Sequence, residues 1–500
     1  MPVQISTEDT TSTDRDLVAG ANPHRVIDCL FVNAPLRDYD LRPRVNDYTL
    51  PVLGMAYIAT YAAKQGYNVG ILDAEAHGLG IARTAAIVNT FKPRWAAFNL
   101  LAPTYEISAR IAAALDPATL VMVGGHHAQA DPDRVLTDPR FARLEALVVG
   151  EGETRVAALL ADVRRRTELP KVMWRDRLLE TTAAGIPHGP TSRWLSPDIN
   201  ALTLDRRFLP QDPYRAGDGR MEANLVCSRG CPYECTFCGA AASMNPEVKI
   251  RARDPRNIIA EMDQLHDTYG CTAFRAVDDL FLGTRRIIHT ALNAFADARI
   301  GERYLWDATG RINTLDHEDD TVLDQLRTNG LREVALGIES GSARILKAMD
   351  KRITPEMTLR VARRLMERGI RVKGYFILGY PGETRADAMD TLRHIRELWE
   401  LSDRLEGTFR ASAFTFRPYP GSPIFNTLVE QGWDPEAMQT YQDVDLTAHG
   451  ADEAMRGRDE FNFATGQQYG EVPPPQLYDW LGDISREQHE RNVTAKAATA

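Results

Sequence analysis

Four of the chain's six cysteines fall within twelve residues, in the string Cys227-Ser-Arg-Gly-Cys231-Pro-Tyr-Glu-Cys235-Thr-Phe-Cys238-Gly. A thiolate is a soft ligand suited to iron. Three of them on one tight loop, Cys231, Cys235 and Cys238, can hold three irons of a cubane 4Fe–4S cluster. The fourth iron is then left without a protein ligand and is open to a small molecule. Zinc is the competing reading, but a structural zinc site takes four ligands, usually as two separated pairs. Four thiolates crowded within twelve residues suit a zinc ribbon poorly. Thiols buried only for packing would scatter, as Cys29 and Cys271 do on or beside predicted strands. Cys227 reads as a packed thiol rather than a reactive one.

Such a loop needs a strand to launch it, and Ala223–Val226 is the candidate. Further strands are predicted at Thr272–Val277, Tyr304–Thr309, Glu333–Leu336, Arg371–Leu378 and Thr408–Phe416. Helical patterns lie between them at Pro255–Thr268, Thr284–Ala298, Asp319–Thr328, Pro355–Arg368 and Arg385–Leu401. Six βα units suit a partial (βα)6 barrel better than a closed barrel of eight. An earlier alternation runs through strands at Val26–Val32, Asn68–Leu72, Trp95–Leu101, Leu120–Val123 and Leu144–Val149. Its helices are predicted at Gly54–Gln65, Ile81–Phe91, Tyr105–Leu115, Pro132–Thr137 and Glu153–Arg166. This order predicts a doubly wound, Rossmann-like parallel sheet that takes ligands at the carboxyl ends of its strands. The fold class is therefore α/β. The chain reads as a disordered leader (1–25), a first domain (26–166), a proline-rich linker (167–220), the barrel (221–430) and a small, mainly helical C-terminal region (431–500).

Composition narrows the partners. Lys and Arg total 59 against 69 Asp and Glu, a net charge of −10 in 500 residues. No global positive field would gather phosphates, which disfavours nucleic acid or an anionic membrane as partner. Met1 to Asp16 lack the apolar core of a signal peptide, and the most apolar stretches are too short to span a bilayer. A cytoplasmic protein is expected, and there six cysteines point to metal or redox chemistry rather than disulfides.

The Cys-x3-Cys-x2-Cys spacing after a first barrel strand, with Phe237 before the last cysteine, resembles the signature of the radical S-adenosylmethionine (SAM) superfamily. The string Ser228-Arg-Gly-Cys231-Pro232 is similar to the branch that carries a cobalamin-binding domain ahead of the barrel. The resemblance covers about residues 26–430. It implies SAM contacts from Phe237, from Asp278 and Asp279 after the second strand, and from Glu339 and Ser340 in Leu336-Gly-Ile-Glu-Ser-Gly-Ser342. Ile377, Leu378 and Gly379 in Gly374-Tyr-Phe-Ile-Leu-Gly-Tyr-Pro-Gly-Glu-Thr384 complete that set. Pro418-Tyr-Pro-Gly-Ser-Pro423 is a further family string. Each feature also has a plainer reading: a glycine that turns the chain, a Glu339 that caps a helix, an Asp278–Asp279 pair that starts one.

For the first domain the resemblance implies cobalamin (methylcobalamin) contacts from Leu53, Gly54, Thr104, Tyr105, Gly124, Gly125, His126, Gly150, Glu151 and Gly152. The strings are Leu50-Pro-Val-Leu-Gly-Met-Ala-Tyr57, Val123-Gly-Gly-His-His127 and Val149-Gly-Glu-Gly-Glu-Thr154. Many such domains ligate cobalt with a histidine two residues after an aspartate. This chain has Asp73-Ala-Glu75-Ala-His77, with Glu75 at that position, which implies a cobalt not ligated from there and easier to reduce. The plainer alternative is a nucleotide-type or purely structural α/β domain.

The activity implied is C-methylation of an unactivated carbon in a small-molecule, natural-product intermediate, as in antibiotic biosynthesis. A 5′-deoxyadenosyl radical made from SAM would abstract hydrogen and methylcobalamin would deliver the methyl group. An external one-electron reductant of flavodoxin or ferredoxin type is the implied partner. The same cofactors also serve cyclisation or rearrangement without net methyl transfer. A methylthiotransferase of tRNA or protein would need a further cysteine trio, where the first domain has only Cys29. A cofactor-sensing regulatory protein would have no use for a complete cysteine loop. Tyr304, Trp306 and Arg311 are candidates to line the substrate cavity.

Overall fold

The computed structural model describes residues 14–41, 51–169, 172–175, 198–240, 250–441, 464 and 466–499. The chain divides into two compact units, Met1–Asp212 and Pro213–Ala500.

In the first unit the strands are β1 (Val18–Ala19), β2 (Cys29–Asn33), β3 (Val69–Asp73), β4 (Trp95–Asn99), β5 (Leu120–Gly124), β6 (Leu144–Val148) and β7 (Val172–Met173). They form one sheet in the order β1-β3-β2-β4-β5-β6-β7. The five central strands are parallel, and the two short edge strands run antiparallel. Their runs are apolar almost end to end because both faces are buried, as parallel sheets require. Strand order reverses between β2 and β4, so the carboxyl ends of those two strands flank the crevice where ligands bind in doubly wound sheets.

Three expectations change here. Residues 14–25 of the supposed disordered leader are ordered: Val18–Ala19 pairs with β3, and Asp14 is buried against Arg83. Residues 1–13 lie outside the described residues. The linker region also belongs partly to this unit, since β7 closes the sheet and Leu202, Phe208 and Leu209 are buried. Its Pro170, Pro187, Pro190 and Pro197 lie outside the described residues. The helix expected over Glu153–Arg166 stops at Ala161, where Asp162 takes the Arg164 N–H on its side chain and starts a separate 3-10 turn.

The second unit opens with β8 (Tyr214–Arg215) and β9 (Met221–Leu225). The short pair β10 (Ser228–Arg229) and β11 (Arg251–Ala252) flanks the cysteine loop. Then follow β12 (Cys271–Ala276), β13 (Leu305–Gly310), β14 (Leu331–Glu339), β15 (Arg371–Leu378) and β16 (Phe409–Thr415). The sheet order is β16-β15-β14-β13-β12-β9-β8, six parallel strands with β8 antiparallel at one edge. Helices connect them with conventional starts: Pro255 and Pro355 sit at the first turn behind Asp254 and Thr354 caps, and Thr384 with Asp387 forms a capping box.

Alternation along β15 shows how this sheet divides its faces. Val372, Gly374, Phe376 and Leu378 are fully buried, while Tyr375 and Ile377 on the opposite face are half-buried. That opposite face is polar toward the start of the strands, where Arg332 bridges Glu222 and Asp307 and Arg410 pairs with Glu333. The C-terminal region is not a separate appendage. Its helix Pro474–Thr499 inserts Leu477, Leu481 and Ile484 into the core of the unit, and Gln488 accepts hydrogen bonds from Ala411 N and Trp399 Nε1. No helix among the described residues is long and apolar enough to cross a membrane.

Candidate functional site

The cysteine loop leaves β9 and is pinned at both ends. Asp278, after β12, accepts hydrogen bonds from Cys227 N at 2.7 Å and Ser228 Oγ at 3.1 Å. At the far end Thr236 N donates to Met349 O and Thr236 O accepts from Ile424 N. Cys235 is buried, and Cys231 and Cys238 are half-buried. Burial pushes the Cys231 thiol up and the Cys238 thiol to about 12, and each neighbouring thiolate raises them further. The three sulfurs are thus within electrostatic reach of one another. Even so, no three His, Cys, Asp or Glu side chains among the described residues converge as a single ion demands. Three thiols on one loop are the donor set a cubane takes, one thiolate per iron. Hydrogen bonds already run to the sulfurs, from Ala240 N to Cys238 Sγ and from Arg311 Nη1 to Cys235 Sγ, both at 3.4 Å. Cys227 turns into the apolar core instead, where burial raises its thiol well above the usual range.

The residues expected to meet SAM divide into two groups. Phe237 and Ile377 border one apolar cluster with Ile345, Met349 and Tyr380. Glu339 ends β14 in the left-handed region, φ +67°, a conformation costly for a side chain larger than glycine. Its Oε1 accepts from Lys351 Nζ at 2.6 Å, and Lys351 also lies 5.7 Å from the Phe237 ring centre. Oε2 takes no hydrogen bond from the described residues. Gly337 lies beneath this pair: a Cβ there would stand 2.3 Å from Glu339 Oε1 and 2.5 Å from Lys351 Nζ and would push those two side-chain ends aside. Asp279 is exposed beside Cys231.

Asp278, Ser340 and Leu378 are placed elsewhere. Asp278 staples the cysteine loop, and burial raises its carboxyl to about 7. Ser340 bonds Thr391 on the helix Arg385–Ser402, and Leu378 is buried on the helix side of the sheet. Gly379 (φ +78°) donates its N–H to Glu383 Oε2 at 2.5 Å and abuts Leu477. Tyr304 and Trp306 do not line a cavity: they pack against Phe274 and against Phe281 and Phe295, with Trp306 Nε1 bonded to Asn329 O. Strand alternation is the reason, since Trp306 takes the helix-facing side and leaves Asp307 to the polar face.

Glu383 carries a pH prediction. It is 1% exposed, its Oε1 has no partner among the described residues, and burial raises its carboxyl to about 7 from 4.5. The fold therefore favours the protonated form. The stabilisation is complete below pH 4.5 and is lost as pH rises toward 7. Glu383→Gln should cancel that loss, with the difference in stability between variant and parent growing by roughly 2 kcal/mol from pH 4.5 to 7. Thermal unfolding at a series of pH values checks it; parallel curves would show that Glu383 is ionised throughout.

In the first unit the candidate cobalamin residues gather at strand ends. Gly125 (φ +97°) follows β5, and Leu100 is stitched to the same turn by Leu100 N to Gly124 O and His127 N to Leu100 O. Thr104 and Tyr105 start the helix after β4, both largely buried, with Tyr105 OH bonded to Asp138 at 2.6 Å. His126 is exposed, whereas His127 is buried on the Tyr105 ring with neither ring nitrogen paired among the described residues. The loop after β6 is held from below by Arg155, whose Nη1 donates to Val149 O and Glu151 O. Gly152 packs on Ile58, but a Cβ on Gly54 would meet nothing within 4 Å and one on Gly150 only Arg155 at 3.8 Å. The open backbone at Gly54, in the first turn of its helix, and at Gly150, after β6, fits a large planar group that needs close approach. Glu75 serves the fold: it accepts from Leu36 N and Tyr39 OH, tying the loop after β2 to the loop after β3. Leu53 is buried at the start of its helix, and Leu50 lies outside the described residues.

Arg155 and Lys351 escaped the sequence reading. An arginine or lysine whose partners are backbone carbonyls or a carboxylate twelve residues away leaves no spacing signature.

Comparison with known proteins agrees with this geometry. Residues 225–395 match the radical SAM superfamily, and residues 45–160 match the B12 binding domain. An uncharacterized methyltransferase of Pyrococcus horikoshii is 28% identical over 403 residues, 78% of this chain and 82% of that protein. The cytidylyl-2-hydroxyethylphosphonate methyltransferase of Streptomyces wedmorensis is 26% identical over 435 residues, 77% of this chain and 79% of its own length. Among solved structures, the radical SAM methyltransferase TsrM from Kitasatospora setae, with cobalamin and a [4Fe-4S] cluster bound, shares the fold. Its TM-score is 0.58 at 17% identity, over 81% of this chain and 78% of that one.

Proposed function

The chain belongs to the cobalamin-dependent radical SAM enzymes, with a B12-binding domain ahead of a radical SAM domain, and from that premise we propose a C-methyltransferase acting on an unactivated carbon of a small-molecule biosynthetic intermediate. One observation carries the reading: a single chain holds both a three-thiol loop pinned beside Glu339 and Lys351 and open glycine backbone at the strand ends of its first unit. Bound cluster, SAM and cobalamin supply one-electron reduction and methyl transfer, chemistry that side chains alone do not perform.

The chain's own residues bind and orient. Cys231, Cys235 and Cys238 would hold the cluster. Glu339, kept in place by Lys351 and by the absence of a side chain at Gly337, would accept the ribose hydroxyls of SAM, with Phe237 and Ile377 forming the apolar wall. Gly54, Gly124, Gly125, Gly150 and Gly152 would let backbone approach the corrin, and Glu75, which accepts from Leu36 N and Tyr39 OH, stands where many such domains carry a histidine. An external one-electron reductant of flavodoxin or ferredoxin type would serve the cluster in the cytoplasm. The methyltransferases of Pyrococcus horikoshii and Streptomyces wedmorensis support methyl transfer, the latter on a small phosphonate-bearing molecule by its name.

The test is anaerobic turnover with SAM labelled as a trideuteromethyl group, added cobalamin and reductant, against a panel of small phosphonates, amino acids and biosynthetic extracts. A product carrying the intact trideuteromethyl group on carbon is expected. A consumed substrate whose product lacks the label would move the assignment to cyclisation or rearrangement with the same cofactors.

A further inference from the structure

Arg311 follows directly on β13 and was expected to line a substrate cavity; its side chain instead runs to the cysteine loop. It is 6% exposed, and every edge of its guanidinium is engaged. Nη1 donates to Cys235 Sγ at 3.4 Å, Nη2 to Lys351 O at 2.7 Å and Nε to Asn313 Oδ1 at 3.0 Å. Its flat face lies over the Tyr233 ring, 3.5 Å from the ring centre, and Tyr233 stands between Cys231 and Cys235.

We propose that Arg311 is a positioning residue for the cluster that also sets its reduction potential, by holding Cys235 through an N–H···S bond and placing a buried positive charge beside it. When the cluster takes one electron from a reductant, its negative charge grows by one and no atom is transferred. A buried cation and an N–H donor at a ligand sulfur favour the more negative, reduced form. Solvent screens little of this at a buried site. Lysine does not reproduce the arrangement, because the planar fork makes three divergent hydrogen bonds and stacks at the same time.

The inference rests on the cluster reading, and iron analysis separates the two: a reconstituted parent chain without iron overturns the cluster and the role of Arg311 with it, whereas an iron-replete parent leaves the role of Arg311 to be decided by the potentials. The test is a potentiometric titration of the reduced cluster followed by electron paramagnetic resonance, in the parent, Arg311→Met and Arg311→Lys. With iron content equal to the parent, Arg311→Met should be harder to reduce by tenfold or more in the one-electron equilibrium, about 59 mV more negative. Arg311→Lys should fall between the two. An unchanged potential in an iron-replete Arg311→Met chain overturns the proposal. If neither variant loads iron, the parent alone decides. With arginine labelled with nitrogen-15 in the guanidinium, the reduced cluster should show a weak nitrogen-15 hyperfine coupling, and its absence places the guanidinium away from the sulfur.

Discussion

Replacing Cys231, Cys235 or Cys238 singly with alanine should lower bound iron to background and abolish both SAM cleavage and methyl transfer. Each thiolate would be the sole protein bond to one iron of the cluster, and the described residues offer no fourth thiol to take its place: Cys227 faces the apolar core and its backbone is committed to Asp278 and Arg253. The loss should not come from unfolding. Cys231 and Cys238 are half-buried, so truncating either costs about 1 kcal/mol or less, and the loop stays pinned through Thr236 and Asp278. Cobalt binding should survive, because the glycine strand ends belong to the other compact unit. The measurement is iron and cobalt per chain after reconstitution. An alanine variant that retains four irons would refute the assignment of that thiol.

The opposite pattern is expected from Gly125→Ala. Gly125 has φ +97°, a region alanine resists, and its Cβ would stand 2.2 Å from Asn99 Oδ1 and 2.7 Å from Leu100 O. One of those contacts is backbone, held by Leu100 N to Gly124 O, so no side-chain rotation relieves it. The turn must open, at a cost of about 2 kcal/mol or more in the first unit. Because it joins the ends of β4 and β5 next to the strand-order switch, cobalamin should be lost while iron and SAM cleavage uncoupled from methylation remain. Cobalt loading equal to the parent's would show that the corrin does not use this turn. Together the two variants separate the cofactor sites, which is why a paired iron and cobalt analysis is more informative than activity alone.

The six parallel strands of the second unit and the five central strands of the first were legible in the sequence. Ile81–Phe91, Pro132–Thr137 and Arg371–Leu378 have the bounds that periodicity predicts. The cysteine loop was legible too, because its chemistry lives in consecutive residues. Misreadings fell where the signal is weak or nonlocal. A two-residue edge strand such as Val18–Ala19 has no period to detect, and its partner lies more than fifty residues away. The polar stretch before the last helix hid the fact that Leu477, Leu481 and Ile484 complete the core of the second unit.

At the sites, residue type and spacing by themselves determined the iron–sulfur reading, since soft thiolates on one tight loop are a property of the chain itself, whereas glycines at strand ends marked only a ligand site and cobalamin followed from the family resemblance. Tertiary structure decided which side chain does what. Asp278 and Asp279 are adjacent in sequence, yet one is buried as a staple and the other exposed beside Cys231, because successive residues leaving a strand point to opposite sides. Glu339 acquires its place only when Lys351 arrives from the following turn and Gly337 makes room. Arg311 meets Cys235 across 76 positions of chain, a contact that folding alone creates.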